Sequence, residues 1–198
     1  MSAQPVYPLA PTNAPEVEAA FQAVPAERVA EILDGELHTM PRPARPHARA
    51  MTRLTHQLGP FDADPGEPGG WVLLIEPELH LGLGPDKLVP DLAGWRRERM
   101  PDALGPEDAP AYYDVAPDWV CEVLSPSTER MDRGKKMRIY RREGVKHVWL
   151  LSPLLKTLEV YRLEGGLWVL LETYEEDAKV RAEPFDALEL DLTTIWSQ

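Results

Sequence analysis

Several features that define large classes of proteins are missing from this chain of 198 residues. Its single cysteine, Cys121, excludes an intrachain disulfide and a zinc site built from cysteines. No segment approaches the ~20 consecutive apolar residues of a transmembrane helix, and the N-terminus lacks the basic and apolar regions of a signal peptide. The sequence also lacks an internal repeat, a glycine-rich phosphate loop and a nucleophile elbow. These absences predict a soluble, cytoplasmic protein that does not associate with membranes.

Positive charge is also scarce, and this bears on whether the partner is a nucleic acid. The chain has 21 Lys and Arg against 33 Asp and Glu, a formal net charge of −12. Proteins that neutralise phosphates usually present a basic surface, so the overall charge argues against a nucleic-acid enzyme. However, residues 128–147 contain eight Lys or Arg and only three acidic residues. Within this segment Arg133, Lys135 and Arg138 are candidate nucleic-acid contacts, although such patches are often plain solvated surface.

Two acidic residues stand beside or inside apolar runs. The run over residues 119–124 predicts a short strand buried on both faces, because it is bounded by prolines and rich in β-branched residues. Glu122 within it would have to be protonated, paired or bound to a metal, unless the strand is an edge strand with Glu122 facing solvent. Asp91 follows Pro90 in a strand predicted over residues 87–95, where it could reach a cleft or be a solvated residue near a turn.

The basic segment predicts a helix that begins at Ser127 or Thr128 and ends at Gly144. At about 100° per residue, Asp132, Lys136 and Tyr140 share its apolar face, whereas Lys135 lies outside that face. Lys136 would then face the strand that carries Glu122, with Asp132 and Tyr140 as possible accessory residues. The alternatives are an Asp132–Lys136 ion pair on a solvated helix and a purely structural role for Tyr140 in the core.

Carboxylates on two strands with a nearby lysine form an arrangement that can hold a divalent cation against a phosphate. Asp91 and Glu122 are therefore the candidate ligands of Mg²⁺ or Mn²⁺, which prefer oxygen donors.

Three motifs together resemble those of a known family. They are Pro90-Asp91, then Glu122-Val-Leu-Ser-Pro-Ser, then Asp132-x-x-x-Lys136-x-x-x-Tyr140-x-x-x-Gly144-Val145 with a Trp149 strand after it. Over residues 26–196, and most strongly over 117–151, the chain resembles the Uma-type family of bacterial restriction endonucleases. That family is similar in fold to the PD-(D/E)xK nucleases. The resemblance implies a restriction-endonuclease-like fold and nuclease activity.

The resemblance also implies roles for individual residues. The usual motif has a lysine two residues after its second acid, where this chain has Leu124, so Lys136 on the helix would take over that lysine's role. Glu31 and His47 match a glutamate and a histidine of the family that could assist at the metal. Without the resemblance, Glu31 would be read as a surface acid and His47 as a packed or exposed residue without a role.

The chain length predicts one domain. We expect residues 1–25 to form an extended, proline-rich tail with a short helix over 16–23, and residues 26–198 to form the domain. The predicted fold is mixed α/β, with a central mixed sheet, a helix on each face and hairpins at the rim. Further predicted elements are a hairpin around Asp34-Gly35, a helix over 45–58, strands over 71–76, 78–83 and 147–151, loops over 59–70 and 102–117, a hairpin around Gly165-Gly166, and an amphipathic element over 185–196.

The leading functional hypothesis is metal-dependent hydrolysis of phosphodiester bonds, with DNA as the expected substrate. Lys136 would orient the attacking water or neutralise developing negative charge. The alternative is a non-catalytic binding or assembly module that keeps the nuclease-like fold, which the overall negative charge favours. Apolar residues in the C-terminal half also predict a symmetric homodimer.

Overall fold

The computed structural model describes residues 13–63, 67–82, 85–100 and 109–197. The helices are α1 (Pro15–Gln22), α2 (Arg45–Asp62), α3 (Glu129–Met131), α4 (Met137–Arg142) and α5 (Leu192–Trp196), with a 3-10 turn at Arg97–Arg99 and a π-helical turn at Asp132–Lys136. The strands are β1 (Arg28–Leu33), β2 (Glu36–Pro41), β3 (Trp71–Ile75), β4 (Leu79–Leu81), β5 (Asp86–Leu88), β6 (Leu92–Arg96), β7 (Trp119–Val123), β8 (His147–Ser152), β9 (Thr157–Glu164), β10 (Leu167–Glu175), β11 (Lys179–Val180) and β12 (Leu190–Asp191). None of the helices in these ranges has the length and apolar character needed to cross a bilayer.

The strands form one large mixed sheet and two smaller antiparallel ones. The large sheet has six strands in the order β10-β9-β8-β7-β6-β3, in which only the β7–β8 pair is parallel. A second sheet has the order β2-β1-β5-β4, and β11 pairs with β12. The predicted mixed α/β fold with a central mixed sheet flanked by helices is confirmed.

The large sheet separates two apolar cores, and this explains why β7 is buried on both of its faces. Because side chains alternate along a strand, Trp119, Cys121 and Val123 pack into a core that α2 covers, whereas Val120 packs into a core that α4 covers. Every residue of β7 is buried. The prediction of a fully buried strand is confirmed, and the edge-strand alternative for Glu122 is wrong.

The prediction of a single strand over residues 87–95 is wrong, and the difference changes where Asp91 lies. The chain instead forms β5 in the second sheet and β6 in the large sheet, with Val89, Pro90 and Asp91 between them. Proline has no N–H to donate, so Pro90 interrupts the ladder. Asp91 therefore lies at the junction of two sheets and not within a strand.

Local turn chemistry is well predicted by the sequence. The β1–β2 hairpin turns at Asp34 and Gly35, both with positive φ (53° and 76°), as the Asp-Gly pair indicated. The β9–β10 hairpin turns at Gly165-Gly166, and Gly144 ends the basic helix with a φ of 77°. The hairpin and helix-end predictions are confirmed.

Two of the predicted helical elements differ in extent from those in the structure. Helix α2 continues through Pro60 to Asp62, beyond the predicted end at 58 and into the predicted loop. Its last turn buries Phe61 against Phe185, with ring centroids 4.8 Å apart, and this packing outweighs the missing N–H of Pro60. The amphipathic element expected over 185–196 is helical only in α5, because Phe185 is buried among tryptophans instead.

The N-terminal tail is described only in part. Residues 1–12 of the predicted extended tail lie outside the described residues, as do residues 101–108 of the predicted acidic loop. The short helix expected over 16–23 is present as α1, where Glu18 pairs with Lys87 of β5 at 2.6 Å. The boundary between tail and domain stays a prediction.

Gly94 on β6 provides a test of the packing in the core that α2 covers. A Cβ atom at this position would lie 2.8 Å from Leu73 Cδ2 and 3.2 Å from Trp119 Cε3. We expect Gly94→Ala to lower the free energy of unfolding by about 1–3 kcal/mol, measured by urea denaturation. Gly59→Ala is the control, because nothing lies within 4 Å of its Cβ position and alanine favours the helix by up to about 1 kcal/mol. Equal stability of the two variants would contradict this packing.

Candidate active site

Asp91 and Glu122 line one cleft. Glu122 lies on β7, and Asp91 immediately precedes β6, which pairs with β7. The cleft has a volume of about 280 Å³, and His47, Asp132 and Lys136 line it as well. The structure thus brings together both candidate metal ligands and the candidate catalytic lysine.

The ammonium group of Lys136 lies among three buried carboxylates. Its Nζ atom is 3.0 Å from Glu31 Oε1, 3.1 Å from Glu122 Oε1 and 3.4 Å from Asp132 Oδ1. None of these four side chains is more than 5% exposed. The Tyr140 hydroxyl donates to Glu122 Oε1 at 2.5 Å. The Asp132–Lys136 ion pair therefore exists, but it is buried and not on a solvated face.

This cluster contains more acidic groups than cations, and its electrostatics reflect that excess. Burial raises the pKa of Glu122 well above its usual value despite the nearby ammonium, and it also raises the pKa values of Glu31 and Asp132. Burial alone would lower the pKa of Lys136, but the carboxylates around it, Glu122 foremost, raise it instead. Burial therefore disfavours the charged form of these carboxyl groups, and a bound cation would oppose that effect.

Asp91 is held in place by two donors. Its Oδ2 atom accepts a hydrogen bond from the backbone N–H of Val123 at 2.7 Å, which ties the junction between the sheets to β7. His47 Nε2, from α2, lies 3.1 Å from each carboxylate oxygen of Asp91. His47 is buried, so the structure assigns it a partner within the cleft rather than a place on the surface.

The structure confirms that Lys136 lies on the inner face of the helix and that Lys135 lies outside it, although the helix is not a regular α-helix. The side chain of Lys136 is 5% exposed and that of Lys135 is 29% exposed. Between α3 and α4 the backbone forms a π-helical turn whose first and last residues, Asp132 and Lys136, are both buried. Such turns are rare in proteins overall, and many of those that occur lie at functional sites. No pattern in the sequence indicated this one. We call the continuous segment 129–142 the α3–α4 helix.

The three candidate nucleic-acid contacts lie outside the cleft and are paired with acidic residues. Arg133 contacts Glu159 through two guanidinium nitrogens, at 2.9 and 2.6 Å. Lys135 pairs with Glu36 at 2.5 Å. Arg138 approaches Asp34 at 3.5 Å. Part of the positive charge of this segment is therefore neutralised within the protein.

The rim of the cleft includes residues that sequence reasoning did not assign to the site. Arg42 lines it with a side chain that is 55% exposed. On the other side, Ser125 Oγ lies 3.0 Å from both Ser127 Oγ and Thr128 Oγ1. Thr128 is the N-cap residue of the helix, one of the two residues predicted for that position, but the helix has no capping hydrogen bond from a side chain. In the sequence, the Ser-Pro-Ser segment that follows the Glu122 strand was the feature that could have indicated these rim residues.

The cleft suits a hard divalent cation, although it offers few protein ligands. Among the described residues, no group of three or more His, Cys, Asp or Glu side chains is arranged to hold a metal ion. Mg²⁺ needs only one or two carboxylates, because it keeps several water ligands. Within the same residues, Glu31 Oε2 and His47 Nδ1 are buried without a hydrogen-bond partner. The excess of carboxylates around Lys136 fits a cation bound near Asp91 and Glu122.

A mixed sheet that brings two carboxylates and a lysine into one cleft defines a restriction-endonuclease-like class of protein. Residues 18–193 match the model of the Uma2 family, described as "Putative restriction endonuclease", and the chain belongs to this family. Its fold is similar to a crystal structure described as "a putative nuclease belonging to DUF820 from Anabaena variabilis", with a TM-score of 0.71. The two sequences are 21% identical, and the match covers 91% of this chain and 96% of the other. No curated protein matches the chain.

The contrast between two adjacent lysines tests the buried cluster. Lys136→Ala removes the ammonium from three buried carboxylates, so we expect the free energy of unfolding to fall by about 3–5 kcal/mol. Lys135→Ala removes a partly exposed ion pair and should cost less than about 1 kcal/mol. Urea denaturation followed by circular dichroism measures both. Equal losses would show that the inner face of the helix is wrongly assigned.

Proposed function

We propose that this protein is a metal-dependent nuclease that hydrolyses phosphodiester bonds in nucleic acid, with DNA as the expected substrate. The observation that supports this most directly is the convergence of Asp91, Glu122 and Lys136 on one cleft. Membership of a family described as restriction endonucleases agrees with it.

Asp91 and Glu122 would hold Mg²⁺ or Mn²⁺ at the base of the cleft. When bound, such a cation lowers the pKa of a coordinated water and offsets charge on the attacked phosphate. Lys136 lies within 3.2 Å of both Glu122 oxygens, so its ammonium can orient the attacking water or stabilise the developing negative charge.

The remaining polar residues of the cleft position these groups. Glu31 and Asp132 hold the ammonium of Lys136. The Tyr140 hydroxyl donates a hydrogen bond to Glu122 Oε1 and so fixes the position of that oxygen. His47 and the Val123 N–H orient Asp91. Fixing the reacting groups before the substrate binds is what allows charge stabilisation to lower the barrier.

The basic surface of the α3–α4 helix would contact the phosphate backbone, with Arg133, Lys135 and Arg138 as the proposed residues. A phosphate would then compete with the acidic partners of these side chains for their donors. The same pairing with acidic residues is the observation that favours the alternative, a catalytically inactive module with the nuclease fold. A cytoplasmic location stays a prediction from the sequence.

Metal binding separates the two hypotheses. We expect Mn²⁺ to raise the melting temperature of the wild-type protein and to support cleavage of plasmid or linear DNA. Glu122→Gln and Asp91→Asn should each remove the Mn²⁺-dependent shift and reduce cleavage by at least ~10²-fold, because they remove a charged ligand and keep its shape.

Asp118→Asn is the matched control for this experiment. Asp118 is also a buried acid near β7, but it binds Arg99 and the Arg96 N–H outside the cleft. This variant should melt at a lower temperature yet keep the response to Mn²⁺. A wild-type protein that neither responds to Mn²⁺ nor cleaves any nucleic acid would favour the inactive module.

A symmetric homodimer is also proposed, formed through the outer edge of β10. In the described part of the chain this strand pairs only with β9, and it exposes Leu167 (63%), Val169 and Leu170 (49%). An exposed apolar edge strand is a template for pairing with a second copy.

Lysine substitutions on the two edge strands of the large sheet, β10 and β3, test the proposed dimer. We expect Leu167→Lys on β10 to convert the particle to a monomer at micromolar concentration, because a buried lysine at the interface would lack a partner. Ile75→Lys changes a similarly exposed residue, 52% exposed, on β3 at the opposite edge and should leave the dimer intact. Sedimentation equilibrium gives the mass of each variant. A wild-type monomer would refute the proposal.

A further inference from the structure

A second pocket lies where the α3–α4 helix packs against β8, β9 and β10. Its volume is about 290 Å³, and it shares no lining residue with the active-site cleft. The lining residues come from the helix and from β8, β9 and β10, and they are Arg133, Gly134, Met137, Arg138, Arg141, Leu150, Tyr161 and Trp168. Guanidinium groups and aromatic rings thus line the same small concavity.

Hydrogen bonds hold the rigid walls of this pocket in place. Trp168 Nε1 donates to the Met137 carbonyl at 2.8 Å, which fixes the indole against the helix. The Tyr161 hydroxyl donates to Glu159 Oε2 at 2.6 Å. Arg133 binds both oxygens of Glu159. The aromatic rings and one guanidinium are therefore oriented before any ligand arrives, which lowers the entropic cost of binding.

The pocket carries uncompensated positive charge at its mouth. Arg141 is exposed and, among the described residues, has no acidic side chain within ion-pair distance. Arg138 is 59% exposed and has only the 3.5 Å contact to Asp34. Burial and the bond to Glu159 raise the pKa of Tyr161 to about 12, so its ring remains neutral. A ligand with a flat apolar part and an anionic part would complement both surfaces.

A nucleotide has this combination of groups. Unpaired bases stack on aromatic side chains and on guanidinium planes, and their phosphates bind arginine. The volume lies at the lower end of the range for ligand pockets, roughly 300 Å³, which suits a single nucleotide rather than a duplex. Two residues of the proposed dimer edge, Leu167 and Val169, project from the face of β10 opposite to Trp168.

We propose that this pocket binds one unpaired nucleotide of a nucleic-acid strand, and that a phosphate a few nucleotides further along the same strand lies in the active-site cleft. The base stacks beside Trp168 and Tyr161, and its phosphate is bound by Arg141. The α3–α4 helix between the two concavities is about 10 Å across, so one strand can cross it. This assignment of the substrate as single-stranded, or locally unpaired, rests on the proposed nuclease function. A paired base would first have to leave the stack.

Binding in EDTA tests the pocket without cleavage. Fluorescence anisotropy of a labelled single-stranded oligodeoxynucleotide, and of the duplex of the same sequence, gives the affinities. We expect the single strand to bind more tightly, and we expect Arg141→Gln to weaken its binding roughly 10-fold. Trp168→Leu should weaken it by a similar factor through lost stacking, provided that circular dichroism shows it folded.

Arg130→Gln is the matched control. Arg130 is an exposed arginine on the same helix, outside both concavities, and its removal changes the net charge by the same amount. It should alter single-strand affinity less than twofold. The proposal is overturned if Arg130→Gln and Arg141→Gln weaken binding equally, if the duplex binds as well as the single strand, or if Arg141→Gln changes only the oligomeric state.

Failure of this proposal is distinguishable from failure of the nuclease proposal. If the pocket is correctly assigned, Glu122→Gln still binds the single strand although it no longer cleaves. If only the nuclease chemistry is correct, Arg141→Gln cleaves a single strand with unchanged KM.

Discussion

One buried ammonium group surrounded by carboxylates is the constraint that connects the parts of this structure. Glu31 comes from β1 of the second sheet, Glu122 from β7 of the large sheet, and Asp132 from the α3–α4 helix that also carries Lys136. Removing one charge from such a cluster leaves the others unpaired in a medium of low dielectric constant. The two sheets and the helix are thereby held in one relative arrangement, and the same arrangement shapes the cleft.

The interruption of the β-ladder at Pro90 determines where Asp91 lies. It ends a strand of one sheet, and the chain then enters the other sheet, so that Asp91 lies where the sheets diverge. At the junction Asp91 is exposed enough to bind a ligand, yet its carboxylate is fixed by the Val123 N–H.

The α3–α4 helix has two roles that the net charge of the protein does not reveal. Its inner residue Lys136 completes the buried cluster, while several of its outer cations pair with acidic residues of β2, β9 and the β1–β2 turn. Pairing of this kind reduces the long-range attraction for polyanions, which agrees with the net charge of −12. Recognition of nucleic acid would then depend on close contacts in shaped concavities more than on a broad positive surface.

The sequence by itself determined the elements whose cause is local. The buried strand around Glu122, the Asp34-Gly35 and Gly165-Gly166 turns and the inner position of Lys136 follow from hydrophobic periodicity and turn chemistry, which act over a few residues. The tertiary structure alone decided the split of the 87–95 strand between two sheets, the π-helical turn at Asp132–Lys136, the extension of α2 past Pro60 and the ion pairs of Arg133 and Lys135. Each of these depends on contacts between residues far apart in the chain, such as Phe61 with Phe185 or Arg133 with Glu159. Local propensity cannot encode such contacts, because the energy that favours them arises only when distant segments have packed together.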